Sequence, residues 1–359
     1  MRVLVLPADT GGCGHYRCIW PARALAAQGA DVTLADQGSG IQGVFREQVD
    51  EITGEIESVE LVGLHEVPDY DVIVIQRPLH RARLALIDLL QQAGIRVVVE
   101  IDDDFGALHP GNVSFTSCHP KHSPDRNWRI LAEACTRADL VTVTTPALAR
   151  RYGRHGRVAV IPNGVPARYL DECRDPQDVG PVVGWTGSVD THPTDLQVTR
   201  GAVQRAIDGT GAVVAVVGTG KGVKAGLGLT DAPLAVGWMP LDDYPHAMAQ
   251  MDIGIVPLDD IVFNAAKSAL KLMEFSAVGV ATVASPTPDN LRMFNEGIGL
   301  LADKPKHWTA LLRRLINDEE HRAEVAGRSR EVMRRFTIEG NTDRWMDAWA
   351  SSLTGRVAA

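Results

Sequence analysis

The densest chemistry in this chain lies between Phe263 and Gly279, in the run Phe-Asn-Ala-Ala-Lys-Ser-Ala-Leu-Lys-Leu-Met-Glu-Phe-Ser-Ala-Val-Gly. On one helix, Lys267, Ser268, Lys271 and Glu274 follow one another at i, i+3 or i+4 and share a face, while Ala269, Leu272, Met273 and Ser276 turn inward. A helix start with two lysines suits a diphosphate, and a carboxylate one turn deeper can accept both hydroxyls of a ribose. A solvated Lys/Glu face is the plainer alternative. Position favours a ligand: the segment lies between two apolar, strand-like runs, 253–256 and 281–284. Its start therefore opens at strand carboxyl ends, where open α/β sheets bind ligands.

Three other clusters carry chemistry. Thr10-Gly11-Gly12-Cys13-Gly14 stands between a first strand and a helical stretch. Glycines at such a turn let a phosphate or sugar reach backbone N–H groups. The spacing is neither the dinucleotide fingerprint nor a phosphate loop, and a tight turn without a ligand reads equally well. Glu100-Ile101-Asp102-Asp103-Asp104 follows a strand. Its carboxylates can orient or deprotonate an acceptor hydroxyl, bind a divalent metal, or cap the turn and be solvated. His109, Cys118, His119 and His122 with Asp125 lack the usual zinc spacing and read better as a long loop that helps choose an acceptor. Tyr16-Arg17 and the run from Arg77 to Arg83 put basic charge at strand ends, either as a rim for an anionic acceptor, nucleic acid included, or as solvated helix starts.

These residues need a scaffold, and the sequence repeats one unit: a short β-branched run, a Gly- or Asp-rich turn, then a stretch of helical period. That is parallel βαβ construction. Strands are expected at 3–6, 32–35, 59–62, 72–75, 97–101, 140–144 and 158–161, and again at 182–185, 213–218, 234–236, 253–256 and 281–284. Between the two sets, the stretch from Ile161 to Pro166 and the polar residues 171–180 read as the hinge. From about residue 306 the chain turns helical, at 308–317, 319–336 and 341–353, with Trp308, Phe336, Trp345 and Trp349 as anchors.

Composition bounds the rest. The 359 residues suggest two domains, and 45% hydrophobic with 23% charged residues is globular composition. With 36 Lys+Arg against 45 Asp+Glu the formal charge is −9, which excludes a global basic field for nucleic acid or anionic lipid. No apolar run approaches the ~20 residues of a membrane helix. Five scattered cysteines without a Cys-x-x-Cys pair fit free thiols in a reducing compartment, so a cytoplasmic protein is expected.

Taken together, Ile161-Pro162-Asn163-Gly164-Val165, Val183-Gly184-Trp185-Thr186-Gly187-Ser188, Val216-Val217-Gly218-Thr219-Gly220, Val236-Gly237-Trp238, Val256-Pro257-Leu258 and Lys267-Ser268-x-x-Lys271-x-x-Glu274-x-x-x-x-Gly279 resemble glycosyltransferases of the GT-B fold, close to family 4. The resemblance spans nearly the whole chain. It implies an α/β protein with two Rossmann-like domains facing a cleft, at 1–165 (acceptor) and 166–336 (nucleotide sugar), and a helix at 337–359 crossing back to the first. It also implies transfer with retention, without metal or further cofactor. Glu274 would hold the donor ribose, and Lys267, Ser268 and Lys271 the diphosphate. Gly187 and Ser188 would approach the phosphates, Trp238 would lie by the nucleobase, and Gly12 and Gly14 would face the transferred sugar.

Two departures stand out. The family's first Glu of a Glu-x7-Glu pair is Ala266 here, and the Arg and Lys frequent after the Gly187 strand are replaced by Ser188-Val189-Asp190-Thr191-His192-Pro193-Thr194-Asp195. The expectation is a retaining, hexosyltransferase-like enzyme using a UDP- or GDP-sugar, with Asp102 and Asp103 acting on the acceptor and Lys271 on the leaving diphosphate. Protein, polysaccharide and hydroxymethylated DNA bases are the acceptor classes left open. The alternative is a nucleotide-sugar binding protein without catalysis.

Overall fold

The computed structural model describes residues 1–35, 41–49, 56–175 and 179–354. The chain divides into two units. The first is Met1–Gly106, Thr116–Pro162 and Thr342–Ala359; the second is Ala107–Phe115 and Asn163–Asn341. Residues 176–178 of the expected hinge lie outside the described residues.

The first unit holds strands β1 (Val3–Leu6), β2 (Val32–Leu34), β3 (Gly43–Val49), β4 (Ile56–Leu64), β5 (Val72–Gln76), β6 (Arg96–Ile101), β7 (Leu140–Val143) and β8 (Val158–Val160). Six of them form a parallel sheet in the order β2-β1-β5-β6-β7-β8. β1, β5 and β7 are buried along their whole length, as continuous apolar runs covered on both faces must be. The expected strand at 59–62 is real but belongs elsewhere. It lies within β4, which pairs antiparallel with β3 in a separate two-stranded ribbon, Gly43 opposite Leu64 and Val49 opposite Ile56. Phe45, Val49, Ile56 and Val59 are exposed there. Polar residues interleave these apolar ones, so the ribbon has no face apolar enough to enter the parallel core.

The second unit holds β9 (Val182–Ser188), β10 (Val213–Thr219), β11 (Leu234–Val236), β12 (Ile253–Val256), β13 (Ala281–Ala284) and β14 (Leu300–Leu301) in one parallel sheet, ordered β11-β10-β9-β12-β13-β14. The order reverses between β9 and β12, the place where doubly wound sheets open at their carboxyl ends. β14 is too short to announce itself in the sequence.

The helical tail serves both cores. Trp308, on helix Pro305–Asn317, packs with Leu312 and Leu315 against Val183, Ile253 and Val283. Trp345 and Trp349, on the last helix Asp343–Thr354, pack on Val3, Val5, Val72, Val74 and Val98 of the first unit's sheet. The final helix belongs to the first unit. Among the described residues no helix is long and apolar enough to cross a membrane.

Candidate functional site

At the reversal point of the second sheet, the carboxyl ends of β9 and β10 are shaped by two facing glycines. Gly187 (φ 141°) and Gly218 (φ 116°) pair across the strands. A Cβ on Gly218 would stand 2.3 Å from the Gly187 carbonyl oxygen, so no L side chain fits there. Ser188 is buried, and its Oγ accepts the Asp190 N–H at 3.2 Å.

The segment that follows β12 is not the single helix the spacing suggests. It forms a short helix Val262–Ala265 and, after a break, helix Leu270–Ala277. Two buried carboxylates flank the break. Asn264 Nδ2 donates to Asp195 Oδ1 at 2.6 Å, and the Ala269 N–H donates to Asp289 Oδ2 at 2.7 Å instead of to a helical carbonyl. Lys267 and Ser268 therefore sit on the connection. The Lys267 ammonium lies 4.7 Å from the Phe263 ring centroid, and Ser268 Oγ accepts from Asn163 Nδ2 at 2.8 Å.

Lys271 and Glu274 remain one turn apart, on the first turn and middle of the second helix. Glu274 is 1% exposed, and its Oε2 is 2.9 Å from Lys271 Nζ. Lys271 also donates to the Tyr244 hydroxyl at 2.7 Å, which in turn is 2.9 Å from Thr186 Oγ1 and 3.3 Å from Glu274 Oε2. Burial works against the Lys271 charge, but Glu274 and Tyr244 outweigh it and raise the amine above its ordinary value. Burial and the Glu274 charge push the Tyr244 phenol up to about 12. The sequence reading missed Tyr244. It lies on helix Tyr244–Ala249, which crosses from edge strand β11 to central β12, and no spacing in the sequence ties it to Glu274. Trp238, just past β11, is 74% exposed and held by one hydrogen bond, from Nε1 to Thr219 Oγ1 at 3.0 Å.

A second polar pair was also missed. His192 Nδ1 is 2.7 Å from Asp195 Oδ2, in the turn after β9. Burial would raise the Asp195 pKa, but the His192 hydrogen bond and charge, the Asp259 N–H and Asn264 together hold it below the usual carboxylate value.

In the first unit the glycine loop is already occupied by a carboxylate of the chain. Asp9 Oδ1 accepts the Gly11 and Gly14 N–H groups at 2.8 and 3.2 Å, and Asp9 Oδ2 pairs with Arg77. A Cβ on Gly14 would fall 1.8 Å from the Asp9 carbonyl oxygen, whereas one on Gly12 would meet nothing within 4 Å. Arg77, at the end of β5 with φ 46°, also lies 3.7 Å from Asp102 Oδ1. Asp102 is buried; burial would raise its pKa, but Arg77 and the Cys13 thiol lower it. Arg77 so gathers Asp102 and the glycine loop, and Asp103, next along the chain, is half-buried.

Other basic and acidic residues here are structural. Asp104 is buried, accepts the Tyr152 hydroxyl at 3.1 Å and pairs with Arg151 at 3.5 Å, so it is not solvated. Arg17 is no rim residue: it is 2% exposed, with Nε donating to Glu100 Oε1 at 2.7 Å and its guanidinium 5.7 Å from the Trp345 ring centroid. Among the described residues no three His, Cys, Asp or Glu side chains are grouped so as to hold a metal ion, the His109 to Asp125 loop included.

Residues 200–347 match a family model described as glycosyl transferase-like. No curated protein matches the chain. Among solved structures the chain is similar to sucrose-phosphate synthase from Thermosynechococcus elongatus, at 16% identity and TM-score 0.66 over 99% of this chain and 100% of that one. It is also similar to HepE of Anabaena in complex with UDP-glucose, at 16% and 0.65 over 99% and 100%. A glycosyltransferase from Rickettsia africae matches at 12% and 0.64 over 99% of each chain. At these identities the likeness is one of fold: with its two parallel sheets and returning final helix, the chain has the GT-B fold.

Proposed function

We propose that this chain is a glycosyltransferase that takes a nucleoside-diphosphate sugar on its second unit and passes the sugar to a hydroxyl acceptor. The observation that carries the reading is Glu274, a buried carboxylate beneath a half-exposed Lys271 at the start of the helix between the central strands β12 and β13. Glu274 takes the ribose hydroxyls. Lys271, Lys267 and the first-turn amides of the helix, which no helical carbonyl accepts, take the diphosphate. Gly187 lets the phosphates approach backbone, with Ser188 beside it, and the exposed Trp238 face takes the base. The UDP and UDP-glucose complexes of HepE favour a uridine donor over a guanosine one.

In the transfer, the bond from the anomeric carbon to the diphosphate oxygen breaks with its electron pair going to the diphosphate. The acceptor oxygen bonds the anomeric carbon with retention, and its proton leaves with the diphosphate. Lys267 and Lys271 stabilise the charge that develops on the leaving group. The carboxyl end of β6, with Asp102 and Asp103, is assigned to the acceptor, and Asp102 acts by fixing Arg77. Glycine loop residues Gly12 and Gly14 are assigned to the sugar.

Thermal denaturation with UDP, GDP and their sugars tests the donor site, since a ligand at about 100 times its Kd adds about 2.7 kcal/mol. The expected outcome is stabilisation by one nucleotide family, together with slow release of that nucleotide from its sugar. Both effects are lost in Glu274→Ala and Lys271→Ala variants that still fold. Wild-type binding and turnover in both variants would overturn the reading, and binding without any nucleotide release would reduce the protein to a sugar-nucleotide binder.

A further inference from the structure

Taking the donor reading above as its basis, we infer that His192, oriented by Asp195, is a cationic contact for the donor diphosphate. The turn after β9 contains no Arg or Lys between Ser188 and Thr199, so His192 is its one side chain able to carry positive charge. The His192 N–H bonds the Ser188 and Val189 carbonyls at 3.2 and 3.1 Å, which winds the turn back on the strand end. A Cβ on Gly187 would lie 3.9 Å from His192 Cδ2, placing the ring beside the glycine that opens this strand end.

The ring is held from below. Asp195 is 3% exposed; its Oδ2 faces His192 Nδ1 at 2.7 Å, while its Oδ1 accepts from Asn264 Nδ2 at 2.6 Å and from the Asp259 N–H at 2.9 Å. With the carboxylate committed as acceptor, Nδ1 carries the hydrogen and Nε2 is the nitrogen left for a ligand. The same carboxylate straps the turn after β9 to the loop after β12, where the Lys267 N–H donates to the Asn264 carbonyl at 3.2 Å. Imidazole and Lys267 are thus carried on linked loops at the two strand ends that flank the reversal point. With Nδ1 engaged by Asp195, an Nε2–H on the ring is a donor suited to an anion.

The titratable groups on the segments packed against this turn are Asp190 on the turn itself, Asp259 after β12, whose N–H donates to Asp195, and His109 of the segment 107–115, whose Val113 N–H and Asn112 Nδ2 donate to the Asp190 and Thr191 carbonyls at 2.9 Å each. His192 donates a hydrogen bond to a phosphate oxygen and transfers no proton. Asp195 is a positioning residue.

The test titrates UDP-glucose and GDP-mannose, whose diphosphate diesters hold their charge over the range used, into the full chain by calorimetry. The two conditions are about pH 5.5 and about pH 8.5, either side of the imidazole's ordinary value of about 6.5. Wild type should bind the preferred nucleotide sugar about tenfold more tightly at the lower pH. His192→Gln should bind at the weaker level at both, His192→Arg at the tighter level at both, and Asp195→Asn, which loses the acceptor that orients the ring, should bind more weakly than wild type at the lower pH. Uridine, without phosphates, should show no pH dependence. A pH-independent wild type with His192→Gln unchanged overturns the His192 assignment and leaves the donor site standing. If neither nucleotide sugar binds wild type at either pH, the donor reading falls and this assignment with it.

Discussion

Exchanging Glu274 for glutamine separates a merely structural carboxylate from one that holds a ribose. The buried Oε2 accepts from Lys271 at 2.9 Å and faces the Tyr244 hydroxyl at 3.3 Å. Glutamine preserves the shape and removes the charge. Because Lys271 is half-exposed, its ammonium can turn to water, and the stability cost drops from the about 3–5 kcal/mol of orphaning a fully buried charge to about 1–2 kcal/mol. Binding should suffer more. Two ribose hydroxyls donating to a carboxylate are each worth about 1.5–3 kcal/mol, and allowing for non-additivity the loss is about 3 kcal/mol, or about a hundredfold in Kd. The assay is calorimetric titration of wild type and Glu274→Gln with UDP and with 2′,3′-dideoxy-UDP. Wild type should prefer UDP by about a hundredfold, whereas the variant should bind both ligands alike, at the wild type's dideoxy level. A variant that keeps the preference for UDP refutes the assignment of Glu274 to the ribose, whatever its stability.

Trp238→Ala should cost less than about 0.5 kcal/mol in denaturant unfolding, given the exposure of the ring, yet weaken UDP binding by about 1–3 kcal/mol if the base stacks there. Unchanged affinity would remove Trp238 from the base site. Gly14→Ala should lower stability by about 2 kcal/mol or more, because its Cβ would collide with the Asp9 carbonyl. Gly12→Ala should be neutral or gain up to about 1 kcal/mol, and thermal melts giving the reverse order would contradict the loop geometry. The Asp195 carboxyl has a folded value below its unfolded one, so its stabilising contribution is full above the unfolded value of about 3.9 and is lost as pH falls through the folded value. Urea unfolding of wild type and Asp195→Asn should accordingly show a gap near neutrality that closes towards about pH 3, and a flat gap would rule out a stabilising Asp195 carboxylate.

Much of this architecture is written in local pattern. Runs such as Val72 to Ile75 and Val97 to Ile101 are apolar at every or nearly every position, which only a strand covered on both faces tolerates, and the turns and helical stretches between them leave parallel crossover as the connection. The pairing of Lys271 with Glu274 was legible for the same reason: both lie on one unbroken helix, where a spacing of three sets proximity. What the tertiary structure alone decided is every contact whose partners are far apart in the chain. The helix expected through 263–279 is interrupted where the Ala269 N–H donates to Asp289 instead of to a helical carbonyl, so Lys267 and Ser268 leave the helical face. Tyr244 reaches Lys271, and Arg17 buries its charge on Glu100, 83 residues away, only after the strands have ordered themselves. Residues 59–62 carry a strand's composition, but whether such a strand joins the central sheet depends on finding a face to cover it, and here it pairs with β3 outside that sheet. Periodicity specifies what a segment buries; only the assembled sheet determines which distant carboxylate or hydroxyl a polar group meets.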